Sequence, residues 1–445
     1  MNTEKEVPQF VSPRILFLTS SAFNNVTGGG ITFTNLFQGW PTDDIATVHS
    51  DTVAVTTDVC HKYFCLTKRE IHRWGWLRYL SAGVASRELP TIGSVVKKQK
   101  NKYRILHQIK ALLFGDGIPQ QTCLSTELEA WISKFQPSIL YTILGSNEMM
   151  ELADKLRVRF HLPLVIHIMD DWPSAIYRGG LLSFLQRRKK DRLLHHLVKV
   201  AVSRFAICKD MAEAYEVRYK APFRWFQNAI DVSAWQQFAK DPSKVGSPIR
   251  VAYIGSVFPS AQLESLIDCC NAIQELHDES FPIQMEIYSP SHLAEQYRER
   301  LVVGGAIALQ DTILDDEVFF RTLQSVDILV LPVNFDASTI NYIRYSMPTK
   351  VPAYLTVGTP ILVYGPAEVA QVSYATKSGW GMPVTIRDMK LLKLVFKRLA
   401  TDTNLRQSLS DRARQMAAVH HDARVVREQF QACLIAASVN NVDLK

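Results

Sequence analysis

Short apolar runs alternate with helix-like stretches along this chain, and the alternation begins twice. Arg14 leads into Ile15-Leu16-Phe17-Leu18-Thr19-Ser20, a run of the length and composition of a buried parallel strand. The loop Asn24-Asn25-Val26-Thr27-Gly28-Gly29-Gly30 follows, then a helical pattern over residues 31–38. Further strands are expected at residues 139–144 and 164–169. The second half repeats the opening. Residues 250–256 read as a strand and a glycine turn, residues 262–275 as a helix, and residues 284–288, 327–332 and 360–364 as three more strands. Between the halves lies Asp241-Pro242-Ser243-Lys244-Val245-Gly246-Ser247-Pro248, a polar linker. Alternating β and α with right-handed crossovers predicts an α/β protein of two Rossmann-like, doubly wound domains facing across a cleft, over residues 14–240 and 249–415.

Composition narrows the class. A chain of 445 residues, 47% of them hydrophobic and 21% charged, can bury a core in each of two or three domains. No apolar run approaches the roughly 20 residues of a membrane-spanning helix. Seven cysteines without a CxxC do not form a disulfide framework. The expectation is a soluble, cytoplasmic protein.

The net charge of +7 is unevenly placed, since residues 61–110 hold twelve Lys/Arg against Glu70 and Glu88, or +10. Within residues 97–114, Tyr103, Leu106, Ile109 and Leu113 recur at helical steps, with Trp74 and Trp76 upstream. A second cluster is Arg187-Arg188-Lys189-Lys190-Asp191-Arg192. Two readings stay open: a basic amphipathic surface on the inner face of an anionic membrane, or a solvated face over an ordinary core stripe. No nucleic-acid-binding motif accompanies the charge, so no nucleic-acid partner is expected.

Ligands of such sheets bind beyond the carboxyl ends of the strands. That rule selects Gly28 to Gly30, Gly145 to Glu148, Asp170 to Pro173, Gly255 to Ser260, Ser289-Pro290, the segment from Asn334 to Lys350, and Gly365-Pro366. The triple glycine lets backbone N–H groups approach an anion at a helix start. Phe33 stands where GxGxxG needs its third glycine, which argues against a nicotinamide site. GxxxxGK[ST] and GxSxG are absent. Cys60, His61, Cys65 and His72 fit no strong zinc spacing. Cys269 and Cys270 read as core residues, and His420-His421-Asp422 as a surface feature.

Asp170 and Asp171 close a strand and point to different sides, so they cannot be the paired acids of a glycoside hydrolase. One would orient an acceptor hydroxyl, with His167 nearby, and the other would cap the turn before Trp172-Pro173. His167 reads equally as a hydrogen-bonded core histidine. Asn147 and Glu148 could touch the acceptor, although a helix cap also explains Asn147.

In order and spacing these features resemble a group-1, retaining, family-4-like glycosyltransferase of the GT-B fold, from Arg14 to the early 430s. The resemblance is carried by Gly28-Gly29-Gly30, by His167-Ile168-Met169-Asp170-Asp171-Trp172-Pro173, and by Asn228-Ala229-Ile230-Asp231. Tyr253-Ile254-Gly255-Ser256 and the block from Ser346 through Lys350 and Gly358 to Leu362 complete it. It implies a nucleotide-sugar donor held by the second domain, a glycan or lipid-linked acceptor at the first, and a role in surface polysaccharide assembly. It also implies a helix at 416–438 returning to the first domain, and neither a metal nor another cofactor.

On that resemblance the donor diphosphate would meet Lys350, Arg344, Ser346, Gly255 and Ser256 on one side and Gly29 and Gly30 on the other. Asp170, Asp171 and His167 would be the catalytic candidates. The chain also departs from the pattern. Many members carry two glutamates whose places, counted back from Gly358, hold Ala353 and Tyr345. The loop after Gly255 lacks the usual Arg and Lys. These departures leave Lys350 and Arg344 as the diphosphate cations. They also motivate a second expectation, a non-catalytic nucleotide-sugar-binding or scaffold protein, and a third, an epimerase or hydrolase on the same plan.

Overall fold

The computed structural model describes residues 12–73, 112–115 and 117–439. In chain order the strands are β1 (Ile15–Thr19), β2 (Ile45–His49), β3 (Lys62–Cys65), β4 (Ile71–Arg73), β5 (Gln120–Thr122), β6 (Ile139–Ile143), β7 (Leu164–Ile168), β8 (Ser203–Ala206) and β9 (Arg224–Trp225). The second half supplies β10 (Ile249–Ile254), β11 (Ile283–Tyr288), β12 (Ile307–Gln310), β13 (Ile328–Pro332), β14 (Ile361–Tyr364) and β15 (Met382–Val384). One sheet runs β3-β2-β1-β6-β7-β8-β9 and the other β12-β11-β10-β13-β14-β15. Every strand pair in both is parallel. Among the described residues, only β4 and β5 pair antiparallel, as a separate ribbon.

Both sheets are doubly wound, because strand order reverses between β1 and β6 in one and between β10 and β13 in the other. The central strands have apolar side chains on both faces, as a parallel sheet covered by helices requires. One face of the first sheet packs Leu16, Leu18, Leu140, Leu164 and Ile166 against helices Asn147–Phe160 and Ser183–Val200. The other buries Ile15, Phe17, Tyr141, Val165 and Phe205 beneath helix Gly28–Phe37 and the final helix, Ala423–Val439.

That final helix belongs to the first sheet's core although it follows the second domain. Its Phe430 is fully buried, with rings of Phe37, Tyr141, Phe205 and Phe226 at 5.1–5.8 Å. The chain crosses back at His421–Asp422, where Ile230 N–H donates to the His421 carbonyl at 3.0 Å and Ala423 N–H to the Ile230 carbonyl at 2.8 Å. His421 is therefore no surface feature. It is fully buried and bonded to the Asn228 carbonyl and Tyr374 hydroxyl, each at 3.2 Å, and burial holds its pKa down at about 4. Cys269 and Cys270 are core residues of helix Leu263–Asp278. Among the described residues, no helix is long and apolar enough to cross a membrane, and no cluster of His, Cys, Asp or Glu is placed to hold a metal ion.

Candidate active site

The two order reversals direct attention to the loops after β1 and β6 and after β10 and β13. After β1, the helix starts at Gly28, three residues before the apolar pattern begins. Asn24 and Thr27 cause the early start. The buried Asn24 carboxamide oxygen accepts from Val26 N–H at 3.0 Å and Thr27 N–H at 2.7 Å, and Thr27 then caps the helix by accepting from Gly30 N–H at 3.1 Å. The N–H groups of Gly28 and Gly29 keep no partner among the described residues. Gly30 serves packing instead, since a Cβ there would lie 2.2–2.5 Å from the Asn24 side chain.

The glycine loop faces the second domain. A Cβ on Gly28 would be 3.4 Å from the Thr349 methyl. The Thr349 carbonyl in turn accepts from Asn228 Nδ2 at 2.7 Å, and the Asn228 side-chain oxygen accepts from Asn35 at 2.9 Å. Asn228, which opens the Asn228-Ala229-Ile230-Asp231 motif, thus ties the glycine helix to the second domain.

Beside Thr349, Lys350 Nζ donates to the Ile254 carbonyl at 2.7 Å and sits 4.1 Å from the Tyr253 ring centre. Burial alone lowers its pKa to about 7, with no neighbouring carboxylate to hold its charge. Gly255 allows this approach, since it has φ +147° and a Cβ there would be 2.7 Å from Nζ. Ser256 is half-buried beside it, its carbonyl accepting from the Tyr253 hydroxyl at 2.6 Å and from Gln262 Nε2. Tyr253 and Gln262 thus brace the loop in place of the expected Arg and Lys. Nothing in the sequence pattern marked Gln262 for that task.

Arg344 is half-buried, and its Nε has no partner among the described residues. Ser346 Oγ reaches across the cleft to donate to Asp170 Oδ1. The Asp170 carboxyl is pushed above the usual range by burial, which outweighs the Ser346 bond. Tyr342, missed by the motif reading, lies close enough for its hydroxyl pKa to be raised by burial and then by the Asp170 charge.

Two catalytic expectations require correction. His167 is fully buried within β7, its Nδ1 bonded to the Tyr141 hydroxyl at 2.6 Å and its ring 5.8 Å from Phe205. Burial drives its pKa down to about 3, so it is a neutral core histidine remote from solvent. Asp171 is 3% exposed and accepts from the Tyr215 hydroxyl at 2.6 Å and Arg218 at 3.1 Å, which gives it a structural task. Asp170 alone of the three remains in the cleft. The two glutamate places are also accounted for: Ala353 is buried in helix Val351–Val357, and Tyr345 packs edge-on to Tyr215 with ring centres 6.4 Å apart.

Past the carboxyl ends of β1, β2, β3 and β6 lies an open hollow of about 1250 Å³ lined by Ser20, Ser50, Thr67, Ser146 and Glu148 among others. Asn147 is held away from it, its amide bonded to the Gln186 side chain at 2.8 Å and its N–H to the Tyr177 hydroxyl at 2.8 Å. Of the expected basic surface, residues 97–111 and Trp74 and Trp76 lie outside the described residues. Arg187, Arg188 and Arg192 are exposed, whereas Lys190 is buried.

No protein-family model matches the sequence, and no curated protein matches it. Solved structures do. Anabaena Alr3699/HepE, in complex with UDP and glucose, matches with a TM-score of 0.59 and 12% identity, over 95% of this chain and 99% of that one. Sucrose-phosphate synthase from Thermosynechococcus elongatus matches with a TM-score of 0.60 and 12% identity, over 94% and 98%. WaaG, a glycosyltransferase involved in lipopolysaccharide biosynthesis, matches with a TM-score of 0.53 and 12% identity, over 94% and 99%. These likenesses identify the fold, which is GT-B.

Proposed function

We propose that this chain is a glycosyltransferase that moves a sugar from a nucleotide-diphosphate sugar to a glycan or lipid-linked acceptor. The observation that carries the reading is Lys350, an enclosed ammonium with no carboxylate partner, set against Gly255 and beside Thr349, which meets the glycine loop. Burying a cation without a counter-ion is costly, and a bound diphosphate would offset that cost. The same cation, with Arg344 and the free N–H groups of Gly28 and Gly29, would stabilise the charge that grows on the leaving diphosphate, a task a metal performs elsewhere. Asp170 would orient the acceptor hydroxyl from the first domain, and the hollow beside Glu148 would receive the rest of the acceptor. Retention of anomeric configuration, surface polysaccharide assembly and work on the inner face of a membrane complete the proposal. HepE, a match in fold, was crystallised with UDP and with UDP-glucose, which makes these the first ligands to try.

The test is thermal unfolding with a panel of nucleoside diphosphates and nucleotide sugars. A ligand at 100 times its dissociation constant should add about 2.7 kcal/mol of stability. Lys350→Ala should abolish the response. A panel without any shift would remove the donor site and the proposal with it. Ala353, where the pattern expects a ribose-binding carboxylate, favours the second reading, a non-catalytic binder on this fold. A shift without sugar transfer to any acceptor would select that reading.

A further inference from the structure

Just after Asp171, the chain builds a second concavity. The loop from Pro173 to Arg178, the helix Ser183–Val200 and the end of the helix Lys209–Tyr219 enclose a pocket of about 720 Å³. Its charged lining is Arg178, Arg187, Lys190 and Arg218 against Asp191, with Asp171 bonded to Arg218 behind the wall, a formal excess of two positive charges. Neighbouring like charges repel, so four cations around one hollow hold a field that an anion would relieve.

The local bonds absorb only part of this charge. Among the described residues, Arg178 donates only to the Ser174 carbonyl, at 2.6 Å. Arg187 has no hydrogen-bond or ion-pair partner among the described residues. Lys190, 6% exposed, donates to the Pro173 carbonyl and lies 3.1 Å from Asp191, which leaves one of its three N–H donors unused. Arg218 is anchored by Asp171 at 3.1 Å and lies over the Tyr215 ring at 4.7 Å, so its guanidinium is held in place at the pocket wall.

We infer that this pocket binds a phosphate or diphosphate group, carried by the acceptor. Planar guanidinium pairs match phosphate oxygens, and a partly desolvated lysine adds a point charge. Asp170 and Pro173 are three positions apart in the chain, so their Cα atoms lie within about 11 Å of each other. A phosphate seated here would hold the acceptor close to the carboxylate proposed to orient its hydroxyl. Leu181, Phe184 and Leu185, exposed at the start of the same helix, would suit a lipid carrier. The identity of the carrier rests on the transferase reading; the binding of the anion does not.

The test uses Lys350→Met protein, so that the donor cation contributes nothing, titrated calorimetrically with inorganic pyrophosphate at low salt. Binding should persist, and adding Arg178→Ala and Arg187→Ala should weaken it by about tenfold or more. The charge-matched pair Arg188→Ala and Arg192→Ala, on the same helix but outside the pocket, should change it by less than about twofold. Equal losses from both pairs, or no binding once Lys350 is replaced, would overturn the inference. Glucose 1-phosphate and phosphatidylcholine vesicles doped with phosphatidic acid then separate the sources. Loss of vesicle capture in the pocket variant assigns a lipid-borne phosphate, and loss of sugar-phosphate binding alone assigns a soluble one. Loss of neither contradicts the site.

Discussion

Asp170 and Asp171 are chain neighbours with different surroundings, and packing separates them. Asp171 turns inward to Tyr215 and Arg218, whereas Asp170 stays in the cleft against Ser346. Asp170→Asn should lower the rate of sugar transfer by about 10²-fold while leaving chemical unfolding almost unchanged. Asp171→Asn should do the reverse, costing about 1–3 kcal/mol of stability through its weakened bonds to Tyr215 and Arg218. Urea unfolding and initial rates on both variants check the pair, and equal rate losses would refute the division. Sequence placed the two aspartates at a strand end but could not divide their roles, because Arg218 arrives 47 residues later on another element. His167 was ambiguous for a related reason. In a strand buried on both faces, alternation no longer tells which side chains meet solvent.

At the scale of elements, the strands that lie at the sheet centres were legible because nearly every residue in them is apolar. The edge strands were not. Lys62-Tyr63-Phe64-Cys65 of β3 and Arg224-Trp225 of β9 are half exposed or very short, and their mixed composition carries no strand period. Ser203-Arg204-Phe205-Ala206 of β8 was hidden in the same way, its outer half polar. The glycine helix sets its glycines in different surroundings. Gly29→Ala would meet only the Phe33 ring, at 3.5 Å, so stability should hold while nucleotide affinity falls as the open N–H face is covered. Gly30→Ala would strike the buried, fully bonded Asn24 and should cost about 1–3 kcal/mol. Unfolding curves with and without nucleotide distinguish the two, and a destabilised Gly29→Ala would contradict the assignment.

For the whole molecule, the two domains are joined by more than the linker. The helix Ala423–Val439 completes the first domain's core after the chain has built the second, so the first domain is not a single segment of sequence. Phe430→Ala should therefore destabilise the first domain, by about 3–5 kcal/mol, although it lies beyond the second domain in the chain. A variant that unfolded only the second domain would contradict this topology. The resemblance implied a returning helix over residues 416–438, whereas the structure ends one helix at His420 and begins the next at Ala423. The resemblance did not anticipate the buried His421 at the crossing, since a histidine pair on a late helix looks the same in sequence whether it faces water or the hinge. The cleft itself, where Gly28 meets Thr349 and Asp170 meets Ser346, joins residues hundreds of positions apart and became visible only with the fold.

The central claim is that Lys350 awaits a diphosphate, and proton linkage tests it directly. With its pKa lowered to about 7, Lys350 is charged in about one molecule in ten at pH 8. A bound diphosphate would restore the pKa towards the ordinary lysine range and draw a proton onto the amine. The ligand's own phosphate, with its last pKa near 6, is already deprotonated there. Calorimetric titration with uridine diphosphate at pH 8, in buffers of different ionisation enthalpy, should show net proton uptake on binding. In Lys350→Met the uptake and most of the affinity should vanish. Binding without proton uptake, unchanged by that substitution, would show that the diphosphate lies elsewhere.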